Sequence, residues 1–321
     1  MLDLIDLPTY EFEEAEVCEL KGDFLPRRQL YRLVSVDYAA LAARPEDRMT
    51  AEDWFLKGVG QLRIGDCIPP ELERRCYERA LNLRANYPEA HNNLGVLLKS
   101  SGDRSAAAER YADALRLWPR YPEAHYNFAI LLEEAGDLDR AATHYQDAIR
   151  CRPEYVDAWL RLAGIFERSN DRMEAERHYE EVLRLRPSFA RAHSNYAVLL
   201  ETCGNIAGAE EHYQAALKAS PDYAEAHYNY AMLLENGDRS QAEAHYRAAI
   251  QARPSYVEAL NNLAILLQEN GDMSGAETHY LAALRHRPSD KNTLYNLATL
   301  AKAAGDDVAA QSYLKQAAQT E

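Results

Sequence analysis

The chain has 321 residues, with 51 acidic against 36 basic side chains and a formal net charge of −15. This balance argues against nucleic acid as a partner, because phosphates require a basic footprint, and against an anionic membrane surface. It favours a protein or peptide partner that carries Lys or Arg.

The five cysteines are spread along the chain and form no C-x-x-C pair (Cys18, Cys67, Cys76, Cys151 and Cys203). An odd number without close spacing suggests neither a disulfide framework nor a zinc site, which favours a reducing compartment. The first residues are acidic and lack the basic and apolar regions of a signal peptide, and no apolar run is long enough to span a membrane. We therefore expect a soluble cytoplasmic protein.

Residues 1–50 do not repeat. Residues 1–19 mix acidic with scattered apolar side chains, so they read either as an acidic tail or as a segment that docks on a partner or on the chain's own array. Residues 27–44 carry an apolar stripe at helical spacing. We predict a capping helix there, which covers the exposed face of the first repeat.

A repeat begins at residue 51 and continues to residue 321. Tyrosines recur every 34 residues, with one step of 33, and prolines follow in the same step. These residues are Tyr111, Tyr145, Tyr179, Tyr213, Tyr246 and Tyr280, and Pro119, Pro153, Pro187, Pro221, Pro254 and Pro288. Such aligned sets indicate one structural unit repeated in tandem.

The unit at residues 88–121 shows how each copy is built. Ala90, Leu94 and Leu97 follow the spacing of one buried helix face. Gly102-Asp103 then ends that helix and starts a second one, since glycine adopts positive φ and aspartate caps a helix. Pro119 closes the unit. Each copy is therefore a helix–turn–helix.

This pattern resembles the tetratricopeptide repeat family. A large residue followed by Gly or Ala recurs in the first helix, at Leu94-Gly95, Phe128-Ala129, Leu162-Ala163, Tyr196-Ala197, Tyr230-Ala231, Leu263-Ala264 and Leu297-Ala298. A small residue opens the second helix, at Ala107, Ala141, Ala175, Ala209, Ala242, Ala276 and Ala310. The family's bulky opener is Trp159 once but histidine in four other copies, which is a departure.

The resemblance implies an all-α fold, a right-handed α-solenoid of about eight helix–turn–helix units. The predicted units are 51–87, 88–121, 122–155, 156–189, 190–223, 224–256, 257–290 and 291–321. The first has an insertion at Cys67–Pro70, and the sixth lacks one residue before Gly237. In this family the first helix of each unit lines a concave groove.

One position of that groove is nearly constant. The residue before each large one is asparagine in six units and arginine in one: Asn93, Asn127, Arg161, Asn195, Asn229, Asn262 and Asn296. A carboxamide can pair with both the N–H and the C=O of an extended peptide. This row of seven aligned residues, here called the asparagine ladder, resembles one in the repeat domain of the protein O-linked N-acetylglucosamine transferases, which bind the substrate main chain with it. The same asparagines can equally bond to the adjoining helix, and both interpretations stay open.

Neighbouring groove positions add aromatic, apolar and acidic groups. Tyr126, Tyr228 and Tyr295 stand beside the ladder as candidate contacts. One turn further comes an apolar stripe of Val96, Ile130, Val198, Met232 and Ile265. Acidic residues line both rims: Glu89, Glu123, Asp157, Glu225 and Glu258, and Glu133, Glu134, Glu167, Glu201 and Glu235. The simplest interpretation is that these charges are solvated, but a channel lined by charges of one sign also attracts a basic segment.

A histidine precedes the repeat tyrosine in five units, at His144, His178, His212, His245 and His279. One copy per unit places these residues about one helix pair apart, too far to share a metal ion. His91, His125, His193 and His227 are expected to pack between helices. We expect no metal and no cofactor.

No phosphate-binding loop, nucleophile elbow or catalytic Cys/His pairing is present, so no catalytic residue is assigned and no enzyme is expected. The leading interpretation is a scaffold that binds an extended, basic peptide. Two alternatives remain: a substrate-targeting subunit or fragment of an enzyme such as a glycosyltransferase, and a self-assembling structural protein.

Overall fold

The computed structural model describes residues 44–60 and 70–319. The expected tail, the capping helix and most of the insertion before Pro70 lie outside these ranges. Within them the chain forms a short 3-10 turn, Glu46–Arg48, and sixteen α-helices without a strand. The helices are α1 Ala51–Gly60, α2 Pro70–Leu83, α3 Pro88–Ser100, α4 Arg104–Leu117, α5 Pro122–Glu134, α6 Leu138–Cys151, α7 Val156–Arg168, α8 Arg172–Leu185, α9 Ala190–Thr202, α10 Ile206–Ala219, α11 Ala224–Leu234, α12 Arg239–Ala252, α13 Val257–Glu269, α14 Met273–His286, α15 Lys291–Ala303 and α16 Asp307–Gln319.

The helices pair as tandem hairpins. Each odd-numbered helix, here called an A helix, packs against the even-numbered B helix that follows it. The predicted all-α fold of eight helix–turn–helix units is confirmed. The hairpins fall into two compact units, one up to Leu162 and one from Ala163 onward, with the boundary inside α7.

The core of the first unit follows the Ala–Tyr–Ala pattern of the B helices. Ala141, Tyr145 and Ala148 occupy one face of α6 at the i, i+4, i+7 spacing, and all three are fully buried. Ala107, Tyr111 and Ala114 do the same in α4. Small residues on either side of a tyrosine let the helices approach while the ring fills the space between them.

The second unit repeats this arrangement. Ala209, Tyr213 and Ala216 are fully buried on α10, and the Tyr213 ring stacks on Tyr230 with centroids 5.6 Å apart. The same three residue types are buried on α12 and α14. Tyr213, and likewise Tyr246 through Asn262, therefore contacts the A helix of the next hairpin, which links one repeat to its neighbour.

Most hairpin turns end the A helix with a glycine in the left-handed region, such as Gly136 at φ 83° and Gly204 at φ 79°. Asn170 takes this conformation at φ 59° in the turn after α7, as asparagine tolerates it better than most residues. The missing residue before Gly237 shortens α11 to 11 residues, against 13 in α9 and α13.

A carboxylate or carboxamide caps the B helices from α4 onward. In α14 the Asp272 side chain accepts the Gly275 N–H at 2.8 Å, which satisfies a donor that the helix start leaves without an intrahelical partner. We expect Asp272→Ala to lower the free energy of unfolding by about 1 kcal/mol, measured by urea denaturation. Asp222→Ala removes an exposed acid from a turn and is the charge-matched control. An equal loss in both variants would contradict the capping role.

Candidate functional site

The aligned asparagines all lie on A helices, and several bond to neighbouring helices. Asn127 is buried and donates to the Asn92 carboxamide at 3.0 Å. Asn262 donates to the Tyr246 and Tyr228 hydroxyls at 3.3 and 3.4 Å. These bonds hold adjacent hairpins together.

Other members of the ladder differ in their partners. Asn195 lies near the Tyr179 hydroxyl, Asn93 accepts a bond from Asn92 at 3.2 Å, and Arg161 lies 3.8 Å from Glu133. The carboxamides of Asn229 and Asn296 are half-buried and make no hydrogen bond to the part of the chain that the structure describes. The ladder thus divides into members that have a partner within the protein and members open to a ligand.

Five of the six repeat tyrosines, all except Tyr111, donate to an acceptor at the end of their own A helix. Tyr179 donates to Glu167 at 2.8 Å and Tyr213 to Glu201 at 3.1 Å. Tyr246 donates to Glu235 in the same way. Burial, reinforced by the carboxylate, raises the pKa of Tyr213 and of Tyr246, so both phenols stay protonated donors.

A neutral phenol orients a carboxylate without cancelling its charge. No cation within 70–319 pairs with Glu167, Glu201 or Glu235. The acidic residues in the first turns of the A helices are different, because Arg253 pairs with Glu225 and Arg287 pairs with Glu258 at 3.0 Å. These tyrosine-bonded glutamates therefore keep their negative charge uncancelled.

Two A helices of nearly identical sequence differ in exposure. The residues EAHYN and LLE are common to α5 in the first unit and α11 in the second. Tyr126 and Ile130 on α5 are buried, whereas Tyr228 on α11 is half-buried and Met232 is 41% exposed. The apolar stripe predicted from the sequence is thus accessible mainly in the second unit.

The asparagine face of the second unit, defined here as Tyr228, Asn229, Met232, Ile265 and Tyr295, presents several accessible apolar side chains. Ile265 is 39% exposed and Tyr295 49% exposed. Scattered exposed apolar residues need no explanation, but a set at matching positions of successive A helices forms a surface that a partner can cover.

A cavity of about 640 Å³ opens beside Met232, where α9, α10, α11 and α12 meet. Its acidic lining residues are Glu201, Glu210 and Asp238, and its apolar ones include Ile206 and Met232. A long cationic side chain suits such a lining, because its methylene stem contacts apolar surface while its charged end meets the carboxylates. The sequence interpretation missed Ile206, Glu210 and Asp238, since these come from turn and B-helix positions outside the A-helix ladder.

The histidines take an arrangement that repeat spacing alone did not show. His144, His212 and His245 each lie against a histidine of their own A helix, with ring nitrogens 2.9–3.0 Å apart (His125, His193 and His227). The A-helix histidines do pack between helices, as expected. The spacing argument about metal sharing was incomplete, because it compared B-helix histidines only with one another. Burial, followed by the second ring, lowers the pKa of His212 and keeps its imidazole neutral.

No helix within the described ranges is long and apolar enough to cross a membrane. No curated protein sequence matches the chain. Solved structures with the same fold include a tetratricopeptide repeat protein from Parabacteroides merdae, which is 17% identical with a TM-score of 0.59 over 84% of this chain and 99% of that one. Yeast Tom70 is 17% identical with a TM-score of 0.59, over 87% of this chain and 62% of that one. Pseudomonas aeruginosa pilF is 20% identical with a TM-score of 0.58, over 67% and 97% respectively.

These likenesses establish the fold. The family model described as tetratricopeptide repeat matches overlapping segments, at residues 97–156, 126–171, 160–224, 203–235, 232–291 and 262–320. Together the segments span most of the chain and agree with the paired helices and their buried tyrosines. The chain belongs to the tetratricopeptide repeat family.

Proposed function

We propose that the protein is a non-catalytic interaction scaffold that binds an extended peptide segment carrying Lys or Arg, and that the second unit holds the contact surface. Repeat proteins of this family are generally interaction modules without catalytic activity. The observation that supports the basic preference is the cavity beside Met232, where Glu201, Glu210 and Asp238 share a lining with apolar side chains.

In this proposal different groups have different tasks. A Lys or Arg side chain of the ligand enters the cavity and meets its carboxylates. The Asn229 carboxamide, which the neighbouring helices leave available, pairs with the ligand main chain. The exposed apolar side chains of the asparagine face cover the intervening ligand residues. Ordering an extended peptide offsets much of the gain, so we expect micromolar affinity.

The test is fluorescence anisotropy with three labelled peptides that differ only at one central residue, which is Lys, Gln or Glu. We expect the Lys peptide to bind tightest and the Glu peptide weakest. Glu201→Gln should weaken the Lys peptide by about tenfold, because a charge-assisted bond is lost. The variant keeps an acceptor for Tyr213, as Gln268 does natively for Tyr280 at 3.4 Å.

Glu211→Gln is the charge-matched control, since Glu211 follows the cavity residue Glu210 on α10 but lies outside the cavity itself. Asn229→Ala should weaken all three peptides by about fivefold, which corresponds to one neutral hydrogen bond of about 1 kcal/mol. Equal binding of the three peptides would contradict the charge preference. Light scattering across protein concentrations separates peptide capture from self-association.

A further inference from the structure

The pairing of histidines across the hairpins places two ring nitrogens side by side three times in the described chain. The Nδ1 atoms lie 3.0 Å apart in His125–His144, 2.9 Å apart in His193–His212 and 2.9 Å apart in His227–His245. In each pair the A-helix histidine also approaches a backbone carbonyl through Nε2, at 2.9–3.0 Å, namely that of Pro119, Pro187 or Pro221.

The carbonyl fixes the tautomer of the A-helix ring. A carbonyl oxygen can only accept, so Nε2 of His125 carries the hydrogen and its Nδ1 keeps a lone pair. That lone pair points at Nδ1 of His144. A metal-binding histidine has the same arrangement, with one nitrogen on the ion and the other donating to a carbonyl or carboxylate.

Only one of the three pairs has a third donor beside it. Asp147 lies one turn after His144 on α6, with Oδ2 3.9 Å from His125 Nδ1. The donor atoms of His125, His144 and Asp147 all lie within 4.8 Å of one another. The corresponding positions of the other two pairs hold Ala215 and Ala248.

We propose that His125, His144 and Asp147 form a binding site for a divalent transition metal of the Zn²⁺ class, completed by water. Zinc holds nitrogen at about 2.0–2.1 Å in tetrahedral geometry, so two ligand nitrogens about 3 Å apart need little movement. The half-buried Asp147 side chain closes the remaining distance by rotation.

Metal binding must accommodate the salt bridge of Asp147 and displace the hydrogen shared by the two histidines. Arg150 pairs with Asp147 Oδ1 at 2.8 Å, which leaves Oδ2 on the side of the imidazoles. In the metal-free hairpin His144 Nδ1 carries the hydrogen shared with His125. The ion takes the place of that hydrogen, which moves to His144 Nε2, so both imidazoles stay neutral and both Nδ1 atoms offer a lone pair. The expectation of no metal rested on repeat spacing and did not include this pairing within one hairpin.

The test is isothermal titration of the full chain with Zn²⁺ at neutral pH under reducing conditions. We expect one site of micromolar affinity or better above the background of the remaining histidines and cysteines. Asp147→Ala makes the hairpin equivalent to the two alanine-containing ones. It should weaken that site by at least about tenfold, since the loss of even an outer partner of a metal ligand costs this much.

The reciprocal variant is Ala215→Asp, which supplies the missing carboxylate to His193 and His212 and should add a second site. Circular dichroism verifies that both variants remain helical. Equal Zn²⁺ affinity in the wild type and Asp147→Ala would overturn the proposed three-ligand site, and the absence of a site in the wild type at about 100 μM Zn²⁺ would also leave the histidine pairs as packing contacts. Neither outcome bears on peptide binding, whose cavity lies in the second unit.

Discussion

Replacement of Tyr213 by alanine is expected to lower the free energy of unfolding by about 3–5 kcal/mol, the loss typical for a buried aromatic ring. The Tyr213 side chain is fully buried, stacks on Tyr230 and donates to Glu201 at 3.1 Å. The alanine variant loses the ring contacts, opens a cavity between two hairpins and leaves the oriented carboxylate without its donor. Urea denaturation followed by circular dichroism measures the change.

Tyr295→Ala is the matched control, because it removes the same side chain from a position that is 49% exposed. Its effect on stability should stay within about 0.5 kcal/mol. A repeat array can unfold in parts, so the two variants are compared by fluorescence as well as by circular dichroism to test for a single transition. A loss for Tyr213→Ala no larger than that for Tyr295→Ala would contradict the role of the buried ring in linking hairpins.

The fold was predictable because the residues that define it act locally. Glycine at the turn permits the left-handed conformation that ends a helix, and proline at a helix start fixes φ, whatever surrounds them. The Ala–Tyr–Ala face of the B helices likewise follows from spacing alone. Helices α3, α5 and α9 begin at Pro88, Pro122 and Ala190, where the repeat pattern places unit starts.

The candidate site was less predictable, because it depends on contacts between helices. The common residues of α5 and α11 give no reason for Tyr126 to be buried and Tyr228 to be half-buried; that difference arises from what surrounds each helix. The partner of each asparagine also depends on its neighbours: Asn127 bonds Asn92, whereas Asn262 bonds tyrosine hydroxyls. The histidine pairs required the geometry of the hairpin, which places residues 18 or 19 positions apart in contact.

The first regular repeat departs from the tyrosine–glutamate arrangement. The position that holds Glu133 and Glu167 in later A helices is Lys99 in α3, and Lys99 pairs with Glu134 at 2.6 Å. The Tyr111 hydroxyl is buried and lacks a hydrogen-bond partner within the described chain. A buried polar group without a partner lowers stability.

Tyr179→Phe and Tyr111→Phe are therefore expected to have opposite effects. Tyr179→Phe removes the hydroxyl that donates to Glu167 at 2.8 Å. It should lower the free energy of unfolding by about 1–3 kcal/mol, because the Glu167 carboxylate loses its donor. Tyr111→Phe removes a hydroxyl that has no partner, so stability should stay unchanged or rise by about 1 kcal/mol. Thermal and urea unfolding measure both.

A double-mutant cycle makes this contrast decisive. Lys99→Gln restores an acceptor at the position where Gln268 accepts from Tyr280. In that background Tyr111→Phe should become destabilising, with a coupling energy of about 0.5–1.5 kcal/mol between the two positions. The cycle compares the loss of one hydroxyl with and without an acceptor in reach. Zero coupling, or an equal loss for Tyr111→Phe and Tyr179→Phe in the native background, would mean that the phenol–acceptor bond does not set the stability of the contact between hairpins and that ring packing alone does.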